Sequence, residues 1–327
     1  MLIGHLAQQQ EFLAAFDGER AHHAWLLSGP QGIGKATFAF AAATHRLAVA
    51  AGPAEGIARD RLQVEPKHRV ARLMRPPEQA FDERPHPDFR LLERVANGKT
   101  GKLNAQILID QIRKVQGVFQ SKPSYSDWRV VVIDSVDEVR EGAANALLKT
   151  LEEPPPKTLL LLVSHAPGRL LPTIRSRCRT LRFQPLADAD VAQVIAMERP
   201  ELDPSERTAL ITLAEGSPGR ALRFAGLDVA GLDTTLADLA ASGSSAIALR
   251  LARSLAGKAA QPRFEAFLEL APAYLAKSAR QRRGAALSHA LSLWERAQTL
   301  ANDALPLSLD PQAVSFELAT LVGRLKA

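Results

Sequence analysis

The chain has 327 residues, enough for two or three domains, and its hydrophobic content of 46% is that of a globular protein with a real core. Its one cysteine, Cys178, excludes a disulfide framework or a cysteine-based zinc site within the chain, and no apolar run approaches the roughly 18 residues of a membrane helix. The net charge of +6 suits nucleic acid or an acidic partner, but equally a soluble protein with an Arg-rich surface.

The opening residues, MLIGHLAQQQEFLAAF, are broken by His, Gln and Glu, unlike a signal peptide, so a cytoplasmic protein is expected. AWLLS (24–28) reads as a short strand, GPQGIGKAT (29–37) as a Gly-rich loop, and ATFAFAAATHRLAVA as a helix. Residues 52–87 are rich in Pro and Arg and read as a loop-rich insertion. FRLLE (89–93) is a strand candidate. Ile109, Ile112, Val115 and Phe119 have helical spacing within 104–120.

WRVVVID (128–134) is a buried strand ending in Asp, and REGAANALLKTLEEPPP (140–156) a helix stopped by prolines. TLLLLVS (158–164) and RTLRF (179–183) complete the strands. Apolar strands alternating with helices predict a parallel sheet covered on both faces. A boundary is expected at QPL (184–186). Residues 187–226 hold helix-sized segments, one of them starting at Ser217 and Pro218, and 228–327 form a separate Ala- and Leu-rich helical unit.

Gly29, Gly32 and Gly34 free the loop backbone to aim N–H groups at phosphate oxygens, and the following helix adds its positive end. Lys35 is placed to contact β- and γ-phosphates. A Ser or Thr hydroxyl after the lysine normally binds Mg²⁺; this chain has Ala36, and Thr37 points about 100° further round the helix. Asp134, at a buried strand tip, suits a Mg²⁺-linked carboxylate. Ser135 follows it, and a hydroxyl is a far poorer base than a carboxylate. Asp137 and Glu138 read as a solvated turn or cap rather than catalytic groups.

NALLKTLEEPP followed by LPTIRSRC, with HHAWLLSGPQGIGKAT, HPDF and SPGRAL, resembles the clamp-loader branch of the AAA+ ATPases over about residues 1–225. The resemblance implies a RecA-like parallel sheet with helices on both faces (1–185), a small helical lid (186–226) and an all-α collar (227–327). It implies that Arg177, in Ser176-Arg177-Cys178, is an arginine finger acting in trans on a neighbour's ATP. It also implies sensor residues at Ser164 or His165 and at Gly219-Arg220. The implied partners are the gamma or tau ATPase subunits and the delta subunit of a hetero-pentameric loader, with the sliding clamp and primed DNA reached through the complex. No membrane partner is expected.

The departures fall on one site. Ala36 and Ser135 remove the metal hydroxyl and the water-orienting carboxylate, so a non-hydrolysing subunit is expected, with ATP or ADP at most held by a degenerate loop. Many relatives carry a four-cysteine zinc module soon after the first helix, where this chain has no cysteine, and neither zinc nor another bound metal is expected. Polymerase activity belongs to another subunit. An active AAA+ ATPase of the same or a related loader is the alternative, and a small-molecule phosphotransferase the third reading. KSARQRRG (277–284), the densest basic run, reads as a solvated helical face rather than a DNA contact.

Overall fold

The structure is a computed structural model, and it describes residues 2–16, 22–74, 86–95, 104, 106–107, 109–113, 123–139 and 141–326. The chain divides into two compact units, Met1–Gln193 with Glu215–Gly219, and Val194–Ala214 with Arg220–Ala327.

The first unit is built on a parallel sheet of five strands in the order β2-β3-β4-β1-β5. These are β1 (Ala24–Ser28), β2 (Phe89–Glu93), β3 (Arg129–Asp134), β4 (Thr158–Ser164) and β5 (Arg179–Arg182). Strands β1, β3 and β4 are central and apolar almost throughout, because helices cover both faces. Alternation assigns the faces. Trp25, Leu27, Val130, Val132, Leu159 and Leu161 pack on one side against Phe12 of α1 (Leu6–Ala14) and Phe38, Ala39 and Ala42 of α2 (Lys35–Ala51). Ala24, Leu26, Val131, Ile133, Leu160 and Leu162 pack on the other against Ala143, Leu147 and Leu151 of α4 (Glu141–Glu152).

Aromatic rings pin the first of these faces. The Phe12 ring lies 5.1 Å from Trp25 and 5.9 Å from Phe38, and Phe38 lies 4.9 Å from Phe183. Each fully buried side chain of this size contributes roughly 1.5–3 kcal/mol. Helix α4 stops where Pro154, Pro155 and Pro156 remove backbone donors.

Among the described residues of 52–74, turns, one antiparallel bridge (Ile57 with Val64) and the short α3 (Arg69–Leu73) make up the insertion; its part at 75–85 lies outside the described residues. Residues 109–113 are helical, with Ile109 and Ile112 packed on the α4 side. Val115 and Phe119 lie outside the described residues.

A short helix, α5 (Pro172–Arg175), leads into β5. Beyond β5 the described residues form helices joined by turns and loops, with no strand. The helices are α6 (Asp188–Glu198), α7 (Pro204–Ala214), α8 (Pro218–Phe224), α9 (Val229–Ser242), α10 (Ser245–Ser254), α11 (Gln261–Arg280), α12 (Gly284–Ala304) and α13 (Pro311–Gly323). The fold is thus the α/β sheet plus all-α region that the resemblance implies. In the second unit α13 packs against α9, α10, α11 and α12 around Leu236, Leu239, Phe264, Phe267, Leu275 and Leu318. Among the described residues no helix is long and apolar enough to cross a membrane.

Candidate functional site

The loop joining β1 to α2 is tied down along its length. Lys35 turns back so that Nζ donates to the carbonyl of Gly29 at 2.7 Å and to that of Pro30. The Ser217 hydroxyl donates to the Gln31 carbonyl at 3.0 Å, and the Gly219 N–H to the Gly32 carbonyl at 2.9 Å. His5 Nε2 lies 2.7 Å from the Ile33 carbonyl, so that nitrogen carries the proton. Phe38 N–H donates to the Gly34 carbonyl at 2.9 Å. Every carbonyl from Gly29 to Gly34 therefore accepts from this chain itself.

Two glycines are required by close approach. A Cβ at Gly219 would lie 2.8 Å from Gly32 Cα, and one at Gly29 would lie 2.5 Å from the Phe183 carbonyl oxygen. Ser217 and Gly219 belong to the first unit. The stretch SPGRAL thus does local work on the loop that its sequence does not reveal. His5 was also missed; it packs edge-on against Phe183 at 4.8 Å, and burial lowers its pKa.

Lys35 is 2% exposed, and burial pushes its pKa down to about 8, with Asp134 and Asp137 pulling the other way. Asp134 ends β3; burial raises its pKa, while His165 and Lys35 oppose the rise. Ala36 and Thr37 are exposed in the first turn of α2.

Asp137 corrects an expectation. It is no solvated turn: its carboxylate accepts from the Ser135 hydroxyl at 2.9 Å, from the Ser164 hydroxyl at 2.8 Å and from the His165 and Ala166 N–H groups. Burial works against the charge, but these bonds together hold its pKa below the usual range. Both expected sensor positions, Ser164 and His165, are thus anchored to Asp137. Glu138 pairs with Arg94 at 2.9 Å.

Of the two groups expected to hold a magnesium ion, Asp134 is present at the tip of β3, whereas position 36 offers a methyl group in place of the hydroxyl. A phosphate fits the loop better: the N–H groups of Gly32, Ile33 and Gly34 donate to no other protein group among the described residues.

Arg177 follows α5. Its guanidinium meets the Glu152 carboxylate at 2.7 Å and donates to the Thr173 carbonyl at 2.9 Å, with the side chain 34% exposed. The neighbouring Cys178 is the opposite case, its thiol pushed up to about 12 by burial and chemically quiet. Between loop and α5 opens a cleft of about 960 Å³, lined by Gly29, His165, Arg175, Ser176, Thr180 and Arg182 among others. Arg220, in the second unit, lies 3.7 Å from Glu269 of α11, which Arg223 also engages, at 3.1 Å.

Strand, glycine loop, helix and an Asp-tipped strand two places along the same sheet define a phosphate-loop α/β protein. Comparison narrows the class. The profile of the family described as DNA polymerase III, delta subunit, matches residues 5–187, more than half of the chain, and the chain belongs to that family. The DNA polymerase III subunit delta' of Pseudomonas aeruginosa is 33% identical over 223 residues, covering 68% of this chain and 61% of that protein. That of Bacillus subtilis is 31% identical over 172 residues, covering 53% and 45%. The DNA polymerase III subunit tau/gamma of Haemophilus influenzae is 30% identical over 204 residues, covering 61% of this chain and 26% of its own length. The chain spans less than two thirds of each of these relatives. A solved gamma subunit-related protein from Thermotoga maritima aligns over 97% of this chain and 100% of its own at 14% identity and a TM-score of 0.47.

Proposed function

We propose that the chain is a non-hydrolysing subunit of a DNA polymerase III clamp loader, of the delta-prime kind. It assembles with gamma or tau and delta subunits, and the complex loads the sliding clamp onto primed DNA. Arg177 serves a neighbouring subunit's ATP, while this chain's own loop is a structural element. Residues 186–226 act as the lid and 227–327 as the collar.

The observation that carries this reading is the contrast between two places in one unit. Arg177 sits at the surface, oriented by Glu152 and the Thr173 carbonyl, with a third of its side chain open to a partner. The chain's own loop has its lysine folded onto its own carbonyls and no hydroxyl at position 36. A planar, permanent cation suits the charge that develops on a transferring phosphoryl group, and a lysine held by its own loop is not extended to one.

The test is turnover by the purified chain. With ATP and magnesium it is expected to release no phosphate above a blank, and Lys35→Ala within the assembled loader is expected to leave ATPase activity within about twofold. Phosphate release by the chain alone, abolished by Lys35→Ala, would establish the active-ATPase reading instead.

A further inference from the structure

One end of the second unit concentrates positive charge that forms no ion pair among the described residues, although Asp233 and Arg282 both act on Tyr274 nearby. Lys277 and Arg280 share a face of the last turns of α11, one i,i+3 step apart. Arg282 and Arg283 form the turn into α12, and Arg324 and Lys326 follow α13 in the closing 3₁₀ turn. Segments about 40 residues apart in sequence are joined here. The Arg282 guanidinium donates to the Leu325 carbonyl at 2.9 Å, and His289 bonds the Arg324 carbonyl at 3.1 Å. Lys326 Nζ lies 3.5 Å from the Ser242 carbonyl at the end of α9.

The six cations make no ion pair among the described residues, whereas Arg223, Arg263 and Arg296 in the same unit each hold a carboxylate. Sequence explains why: no Asp or Glu occurs between Glu269 and Glu295, or between Glu317 and Lys326. Asp238, one turn before Ser242, forms no ion pair among the described residues either. Helix dipoles do not absorb the charge. The C-terminal ends of α9, α11 and α13 meet the N-terminal ends of α10 and α12 here, and partial charges of about half a unit each largely cancel. Five of the six side chains are on exposed residues, Arg282 being the half-buried one that welds the two segments.

We infer that this end of the helical unit is a docking surface for the phosphodiester backbone of DNA. The cations sit on helix ends and a short turn, an arrangement that suits contact with phosphates. The inference goes beyond the role proposed for Arg177 and does not rest on it.

The test uses the full chain and a fluorescein-labelled 30-base-pair duplex, with anisotropy followed over a salt series. The variant Arg280→Glu, Arg283→Glu, Arg324→Glu, Lys326→Glu is compared with a control of equal charge change, Arg59→Glu, Arg61→Glu, Lys67→Glu, Lys258→Glu. Thermal melts verify folding of both. Loss of about four phosphate contacts is expected to flatten the log–log salt slope by about 3.6, with affinity at low salt falling at least ~tenfold in the patch variant and less than ~threefold in the control. Equal losses in both variants, or unchanged binding in the patch variant, would overturn the inference. So would tighter binding of an oligo-glutamate peptide of matching charge, which would make the partner an acidic protein.

Discussion

The Arg177 guanidinium and the Glu152 carboxylate lie 2.7 Å apart, joining the segment after α5 to the last residue of α4. The pair is half-open to water, so it contributes little to folding, about 0–1 kcal/mol. Glu152→Gln is expected to shift the unfolding free energy by no more than that, measured by urea titration, while freeing the arginine to reorient.

The latch on the glycine loop weighs more. Ser217→Ala removes the hydroxyl that satisfies the Gln31 carbonyl and is expected to cost about 1–2 kcal/mol. Gly219→Ala drives a methyl to 2.8 Å from Gly32 Cα, backbone that cannot swing aside, and is expected to cost more than Ser217→Ala. Chemical denaturation of both variants ranks them; the reverse order would show the loop free to move.

Lys35 gives the loop a pH signature. Below about 8 the lysine is protonated whether folded or not, and the cost of burying its charge is fully present. Between about 8 and 10.5 the folded state has released the proton while the unfolded chain still holds it, so stability rises with pH by about 3 kcal/mol across that window. Lys35→Met is expected to lack this rise. Differences between wild type and variant, measured from pH 7.5 to 10.5, cancel the other titrations.

The histidines act on the acid side. Burial lowers the pKa values of His5, His45, His86 and His165 below 6.5, so the unfolded chain takes up protons first as pH falls. Stability is expected to decline as pH drops from about 6.5 toward the folded values. His5→Gln, which keeps a donor near Ile33, should soften the decline; an unchanged acid limb would remove His5 from the account.

Much of the sheet was legible because its strands are buried on both faces, leaving unbroken apolar runs. AWLLS, FRLLE and TLLLLVS became β1, β2 and β4 residue for residue. Helix α1 was not legible: LAQQQEFLA has three glutamines and a weak apolar face, and only packing of Phe12 and Gln9 fixes it. The loop was readable from its glycines. Its tethers were not, since His5, Ser217 and Gly219 reach it across 28, 186 and 187 positions and carry no local spacing signal. Asp137 was misread for the same reason: its partners Ser164, His165 and Ala166 lie on another strand's end.

The core packing around Phe38 offers a control for all loop variants. This residue is fully buried against Phe12 and Phe183, and Phe38→Ala is expected to cost about 3–5 kcal/mol. A melt shifted by less than the Ser217→Ala variant would show that α2 is not seated as described.

Arg177, on the proposed function, works on a neighbour's nucleotide. The direct measurement is the clamp- and DNA-stimulated ATPase rate of a loader reconstituted with Arg177→Ala, beside the wild-type loader at equal assembly by gel filtration. A complex of normal size is expected, with a stimulated rate at least ~tenfold lower, as removal of a charge-stabilising arginine causes. A fully assembled complex with an undiminished rate would contradict it.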